Sequence, residues 1–409
     1  MSGEVHVMPN GLTVAVDPLP GAESVAFGLY ASVGSRSEPE GLGGLAHIVE
    51  HMVFKGAGGR DTRALAEAIE DVGGSLNAWT ARDQTVFHGR ALARDLGLVA
   101  QLIADLVRAP HFEEEHLERE KQVILSELGE CLDAPDDLVH DHLLEAAFEG
   151  QAIGRPVLGK EKTILAVSRE DCLDWLKKEF VPARLVISAS GRVSLDEVVQ
   201  LAERLFGDMP AGEPPVIDCA RFTGGARNDG RNFEQAHWCL AFEGLPASDP
   251  QNPALALFVQ ALGGGTSSRL FQELREERGL AYSVYAWNQG FADTGLVGIG
   301  CAAERARAAE SVHLARKILA ATAEGLTEAE LSRARAQMEA GLLMGMETAQ
   351  GRADQMARSI EVFNRILSLS ELLEHIRAVT LDDARKAGRR LLEGPIAVAS
   401  VGAKLALAA

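Results

Sequence analysis

Residues 47 to 51 read His47-Ile48-Val49-Glu50-His51. On a helix, His47 and His51 stand one turn apart on the same face, so both imidazoles can reach one ion. Glu50 sits beside them, where its carboxylate can activate an attacking water. Imidazole nitrogen is a natural zinc ligand, and a catalytic zinc site needs three protein ligands and one open position. The neighbours Leu45, Ala46, Ile48, Val49, Met52, Val53 and Phe54 make this helix apolar nearly all round. A buried helix carries three ionisable groups in five positions only if something compensates them, and a divalent cation would do so. Two histidines and a glutamate at this spacing also arise by chance, so the motif takes its weight from its setting.

The third ligand must come from elsewhere. A helix predicted over Glu113 to Cys131 holds Glu120 and Glu127, two turns apart on one face. Val123, Ile124 and Leu125 between them place part of this helix in the interior. Alone it reads as a solvated acidic helix. With the upstream motif, Glu127 is expected to complete the metal set and Glu120 to stand behind it, orienting a histidine or the metal site.

His-x-x-Glu-His reverses the commoner zinc-protease order and is the inverzincin signature. Glu127 follows His51 by 76 residues, and Glu120 precedes Glu127 by seven. With the stretches Gly41-Leu42-Gly43-Gly44-Leu45-Ala46-His47, Phe54-Lys55-Gly56 and Gly73-Gly74-Ser75-Leu76-Asn77-Ala78-Trp79-Thr80, the chain resembles the pitrilysin family of zinc metallopeptidases. Within it the resemblance is to the processing-peptidase β-subunits of mitochondria and their bacterial relatives, and it spans nearly the whole chain.

That resemblance carries several expectations. It implies one Zn2+ per chain and half of a clamshell, hence a homodimer, with a heterodimer beside a motif-poor homologue as the competitor. It implies that Arg275 and Tyr282 approach the zinc site from the second half, across the dimer interface in a homodimer. There the Tyr282 hydroxyl would stabilise charge on the scissile carbonyl. It implies an extended peptide paired along a strand edge, with Asn77 and Ala78 as candidates. It also implies that Asp137 and Asp141, one helical turn apart, read arginine in the substrate. Read from the residues alone, Arg275 is equally an exposed helix residue, Tyr282 a strand aromatic, and the two aspartates solvated helix charge.

The elements that must position these groups read as two α+β modules of similar order. Each is an expected α/β sandwich with a mixed, mainly antiparallel sheet and helices packed on it. The first half predicts a hairpin about Asn10-Gly11, a strand from Val25 to Val33, and helices from Gly43 to Lys55 and from Asp61 to Val72. A strand over Ser75 to Gly89 and a helix over Ala91 to Val107 follow. Helices at Asp136 to Phe148, Arg169 to Phe180 and Leu195 to Phe206 enclose a strand at Arg184 to Ser190. The proline-rich stretch 210–217 reads as a linker between an N-terminal zinc module, 1–209, and a C-terminal module, 218–409. The second module predicts a strand at Trp238 to Phe242, helices at Pro253 to Leu262 and Ser268 to Arg278, a hairpin within Tyr282 to Cys301 and a closing strand at Ile396 to Val401. Its counterpart of the metal helix, Ala256 to Leu262, has no ligands.

Bulk properties narrow the function further. With 59 acidic and 40 basic residues the net charge is −19, which opposes a nucleic-acid partner and suits a basic substrate or mere solubility. Thirteen acidic and two basic residues fall between Glu113 and Glu149. Gly263-Gly264-Gly265-Thr266-Ser267-Ser268 lacks the Gly-Lys-Ser/Thr ending of a phosphate loop and reads as a turn. Five dispersed cysteines fit reduced thiols. With no leader-like start and no membrane-length apolar run, a cytoplasmic location off the membrane is expected. The expected function is a zinc-dependent endopeptidase acting on extended or presequence-like peptides, with a preference for basic residues. A non-catalytic scaffold of the same architecture and a small-molecule metallohydrolase are the alternatives.

Overall fold

The computed structural model describes residues 3–405, which form two compact units. Of the described residues, the first comprises 3–128, 156–217 and 343–369. Its strands are β1 (Glu4–Val7), β2 (Thr13–Pro18), β3 (Ser24–Ala31), a two-residue pair β4 (Gly56–Ala57) and β5 (Arg60–Asp61), β6 (Ser75–Thr80), β7 (Thr85–Leu92) and β8 (Leu185–Gly191). Six of them form one sheet in the order β1-β2-β8-β3-β7-β6. The β2–β8 pair is parallel and the other pairs are antiparallel.

Period-two alternation decides the two faces. On β3, Val25, Phe27, Leu29 and Ala31 enter the main core, where the helices Leu45–Val53, Leu96–Arg108 and Leu195–Phe206 pack. Tyr30 points to the opposite face, which the helix Ala349–Phe363 covers with Met356, Ala357 and Ile360. That helix is also pinned by polar contacts. Tyr30 Oη donates to Asp354 (2.5 Å), Arg352 pairs with buried Asp17 (2.9 Å), and Ser188 Oγ donates to the Ala353 carbonyl (2.7 Å).

Of the described residues, the second unit comprises 129–155, 218–342 and 370–405. Its strands β9 (Gly225–Asp229), β10 (Gln235–Glu243), β11 (Ala281–Gly290), β12 (Gly295–Glu304) and β13 (Ile396–Val401) form a sheet in the order β11-β12-β10-β13-β9. The β13–β9 pair is parallel and the rest are antiparallel. On β10, Ala236, Trp238, Leu240 and Phe242 face one core, while Cys239 and Ala241 face the helix Pro135–Ala147. Matching β6-β7-β3-β8-β2 to β11-β12-β10-β13-β9 gives the same order and the same single parallel pair. The two expected sandwich modules are therefore present, each a mainly antiparallel sheet with helices on it.

Several expectations change in detail. The strand expected over Ser75 to Gly89 is the hairpin β6–β7, folded at the polar turn 81–84, where Ala81 N–H donates to the Gln84 carbonyl (2.7 Å). The helix expected from Ala91 begins at Leu96, because Ala91 and Leu92 still pair with β3. Cross-strand pairing overrides their helical propensity. The compact units also differ from contiguous modules 1–209 and 218–409. Segment 129–155 buries its apolar stripe in the second unit, and segment 343–369 does so in the first. All five cysteines are free, with Cys172, Cys239 and Cys301 buried. No helix among the described residues is long and apolar enough to cross a membrane.

In the second unit, Arg269 fixes the start of the segment that carries Arg275. Its guanidinium forks onto Glu330 (2.6 and 2.8 Å) and donates to the carbonyls of Ala321 (3.2 Å) and Gly325. The guanidinium, helped by Thr327, holds the Glu330 carboxyl down at about 2 from an ordinary 4.5. A depressed carboxyl stabilises the fold above its unfolded value and loses that contribution as pH falls through the folded one. Glu330→Gln is therefore expected to lower the thermal midpoint at pH 7. The gap to the parent should shrink as pH falls from 4.5 toward 2, read by calorimetry across that range.

Candidate metal centre

The helix Leu45–Val53 lies in the first unit beside β6. Leu45, Ala46, Ile48, Val49, Met52 and Val53 are buried in the main core, leaving one narrow face for polar groups. That face carries His47, Glu50 and His51. The side chains of His47 and His51 are 14% and 20% exposed, and their rings meet at a centroid distance of 4.5 Å.

The opposing wall is the helix Glu114–Asp133. Leu117, Glu120, Lys121 and Ile124 form its buried stripe, whereas Val123, expected in the interior, is exposed. Glu127, two turns beyond Glu120, places Oε2 at 4.0 Å from His47 Nε2 and 3.7 Å from His51 Nε2. His47, His51 and Glu127 offer ligand atoms all within 4.8 Å of one another, the one such group of three among the described residues. Tetrahedral zinc at about 2.0–2.1 Å from each ligand would space those atoms ~3.3 Å apart, a small closing movement from here.

Behind the triad, Glu120 Oε2 accepts from His51 Nδ1 (3.1 Å), and its Oε1 pairs with Lys55 Nζ (2.8 Å). A carboxylate facing Nδ1 favours the tautomer that keeps Nε2 for a metal. The role expected for Glu120 thus has a geometric basis. Lys55 was not anticipated; it stands four residues after His51, in the turn just past the end of the helix.

Burial sets the electrostatics of the site. Burial, then the charge of His51, lowers His47 to about 4, so it is a neutral imidazole at neutral pH. Burial raises the Glu50 carboxyl above 4.5; the Thr80 hydroxyl and His51 pull it back, and Glu127 adds to the rise. Glu50 Oε2 and His47 Nδ1 are buried without a hydrogen-bond partner. An unsatisfied buried polar group costs about 1–3 kcal/mol, so two in one site mark a place built for a further partner. Neutral nitrogen, carboxylate oxygen and an orphaned acid together fit a zinc-like cation with water beside it.

The remaining predicted residues fall as follows. Asn77 and Ala78 lie on β6, whose one neighbour is β7, so the expected edge is an edge. The Asn77 side-chain oxygen accepts from Ala78 N–H (2.9 Å). Arg275 and Tyr282 belong to the second unit. The helix expected over Ser268 to Arg278 is a π-helical segment, Phe271–Glu277, that sets the Arg275 guanidinium 4.8 Å from the Phe271 ring and 5.8 Å from that of Tyr282. Tyr282 is 72% exposed at a register shift at the start of β11. Asp137 and Asp141 stand one turn apart on the helix Pro135–Ala147 of the second unit, Asp137 exposed and Asp141 half-buried. The second-unit counterpart of the metal helix, Asn252–Gly263, lies between β10 and β11 as Leu45–Val53 lies between β3 and β6, and it carries no ionisable side chain.

Comparison with known proteins matches this division. Residues 13–161 match the model of insulinase, peptidase family M16, and residues 166–338 that of the peptidase M16 inactive domain. A Streptomyces coelicolor protein named as an uncharacterized zinc protease is 36% identical over 395 residues, covering 94% of this chain and 86% of the relative. One from Rickettsia bellii, named likewise, is 33% identical over 407 residues, covering 97% of each chain. In fold, the chain superposes on a Pseudomonas fluorescens structure described as a peptidase M16 inactive domain. The TM-score is 0.90 at 22% identity over 99% of both chains. It also superposes on a Helicobacter pylori protease (TM-score 0.89, 19% identity, 98% of this chain and 99% of that one). The chain belongs to peptidase family M16, the insulinase or pitrilysin family of zinc proteases.

Proposed function

We propose that this chain is a zinc-dependent endopeptidase that cleaves extended, basic peptides. The observation that carries the reading is the convergence of His47, His51 and Glu127 beside Glu50, whose Oε2 is buried without a hydrogen-bond partner. Zinc bound there would supply a Lewis acid for the scissile carbonyl and a more acidic water. Glu50 accepts the proton of the attacking water and later delivers it to the leaving amine. Its burial helps the second step, since a raised carboxyl holds a proton long enough to pass it on. Glu120, steadied by Lys55, keeps His51 in the tautomer that ligation needs.

The substrate adds a strand to β6, its main chain pairing with the free edge. Entry displaces the Asn77 side chain from Ala78 N–H, exchanging one hydrogen bond for another. Arg275 and Tyr282, already in contact, act as one unit, with the arginine holding the tyrosine whose hydroxyl meets the oxyanion. Asp137 and Asp141 select arginine, and the acidic run about them draws basic peptides in. The working form is a homodimer in which each chain offers the Arg275/Tyr282 pair to its partner.

Three measurements test this reading. Glu50→Gln should keep stoichiometric zinc by metal analysis and lose about 10²–10⁴-fold in kcat. Normal turnover would remove Glu50 from the chemistry, and a parent enzyme indifferent to chelator would remove zinc. An arginine-containing peptide should outpace its arginine-free counterpart, with the advantage gone in the Asp137→Asn, Asp141→Asn double variant. Equal rates in the parent would end the specificity claim. Mixing Glu50→Gln with Tyr282→Phe chains should restore activity that neither has alone. A mixture as inactive as its components would show that the pair does not act across a dimer.

A further inference from the structure

The metal helix begins in an unusual way. Its N-cap is Gly44, in the left-handed region at φ 96°, and a glycine has no side chain to cap the first turn. Glycine is required there: beyond the φ, a Cβ would come within 2.6 Å of the Leu158 carbonyl oxygen. The first-turn amides therefore need an acceptor from elsewhere. Glu38 provides it. Its Oε2 accepts from Gly44 N–H (3.0 Å) and its Oε1 from Ala46 N–H (2.8 Å). Both bonds are buried, and Glu38 is 4% exposed. Ala46 immediately precedes His47, so the carboxylate grips the helix next to its first ligand.

Glu38 is itself fixed to the strand edge proposed for substrate. The short helical turn Ser35–Ser37 leads into it, and Glu38 N–H donates to the Ser35 carbonyl (3.2 Å). Ser35 N–H and Arg36 N–H donate to the carbonyls of Ala81 and Arg82 (3.0 and 3.1 Å), the two residues that follow β6. Arg36 pairs with Asp83 in the same turn (2.9 Å). One rigid path thus runs from the end of β6 through residues 35–38 to the amide next to His47.

The Gly44 geometry rules out a capping side chain at the cap itself, so the first-turn amides take both acceptors from one carboxylate six residues upstream. A bidentate carboxylate on two amides two residues apart fixes both the rotation and the axial position of a helix only nine residues long. Rotation decides whether His47 and His51 both face Glu127.

We propose that Glu38 is a positioning residue of the metal centre, setting the rotation and height of the helix Leu45–Val53 against β6 so that His47 and His51 converge with Glu127. This rests on the zinc reading given above.

The test is zinc affinity of the full-length, metal-stripped chain, measured against a competing fluorescent chelator, together with steady-state kinetics of the zinc-loaded protein. Glu38→Gln keeps the shape and loses one of the two acceptors; Glu38→Asp keeps the charge and loses the reach. Each is expected to weaken zinc at least tenfold, in the range usual for groups that orient metal ligands. Each should lower kcat with KM within about twofold of the parent, since β6 keeps its own bonds. Both variants binding zinc and turning over like the parent, with only the thermal midpoint lowered, would overturn the proposal and leave Glu38 as an ordinary stabilising cap. Failure of both variants to fold would overturn it as well, by assigning Glu38 to the fold. If the parent binds zinc but cleaves nothing, the peptidase reading falls while the affinity comparison still decides Glu38. A parent that binds no zinc ends both.

Discussion

The whole arrangement depends on the cost of taking ionisable groups out of water on a helix that is otherwise core. His47, Glu50 and His51 occupy the one polar strip of Leu45–Val53, and six of that helix's nine residues are buried. Without compensation this costs several kcal/mol per charge, and burial shifts His47 and Glu50 toward their neutral forms. His47 falls to about 4, and Glu50 rises. A divalent cation would reverse the sign of the problem, because the same burial then strengthens every attraction to it. Groups that desolvation has made neutral or protonatable are also the groups that ligate and shuttle protons most readily. The penalty and the chemistry have one origin.

The duplicated fold separates what the architecture requires from what the chemistry requires. The five-stranded sheet of the second unit repeats β6-β7-β3-β8-β2 of the first, parallel pair included. Its helix Asn252–Gly263 holds the equivalent place with Ala254, Leu255, Leu257, Phe258, Val259, Ala261 and Leu262 buried and nothing to ionise. A helix at this position thus packs stably with apolar residues alone. The polar strip in the first unit is therefore not something that packing at this position requires. The match of the second half to an inactive domain agrees with that contrast.

How much was legible in the sequence follows the same division between local and distant causes. Elements whose pattern is local were readable nearly to the residue: Leu195–Phe206 and Ile396–Val401 match their expected bounds, and Asp61 caps its helix by accepting from Ala64 N–H (2.8 Å). The metal triad was legible because ligand chemistry restricts residue type and spacing. Strand β9 was not, since Gly225–Asp229 offers no apolar alternation and joins the sheet by parallel pairing to the distant β13. Nor was the interleaving of the units, because the apolar stripes of Pro135–Ala147 and Ala349–Phe363 say that they are buried but not against which sheet. Lys55 and Glu38 were missed for a related reason. Their roles lie in contacts to Glu120 and to two backbone amides, and a lone lysine or glutamate carries no pattern that announces such a partner.

The edge strand shows how one surface can serve both stability and recognition. An open β-edge is a liability in any protein, since its unpaired amides template further strands. Here β6 ends the sheet next to the metal helix, and the Asn77 side chain already occupies the Ala78 amide. A side chain bonded to its own neighbour's backbone guards the edge at small cost and yields to a better partner without any movement of the sheet. On the proposed reading, main-chain pairing at β6 supplies affinity that is nearly blind to sequence, so discrimination has to come from charge. Backbone pairing alone would hold any extended segment, whereas long-range attraction to an acidic protein concentrates only cationic ones. The two contributions are separable in principle, because the first is insensitive to salt and the second is screened by it within about 8–10 Å at physiological ionic strength.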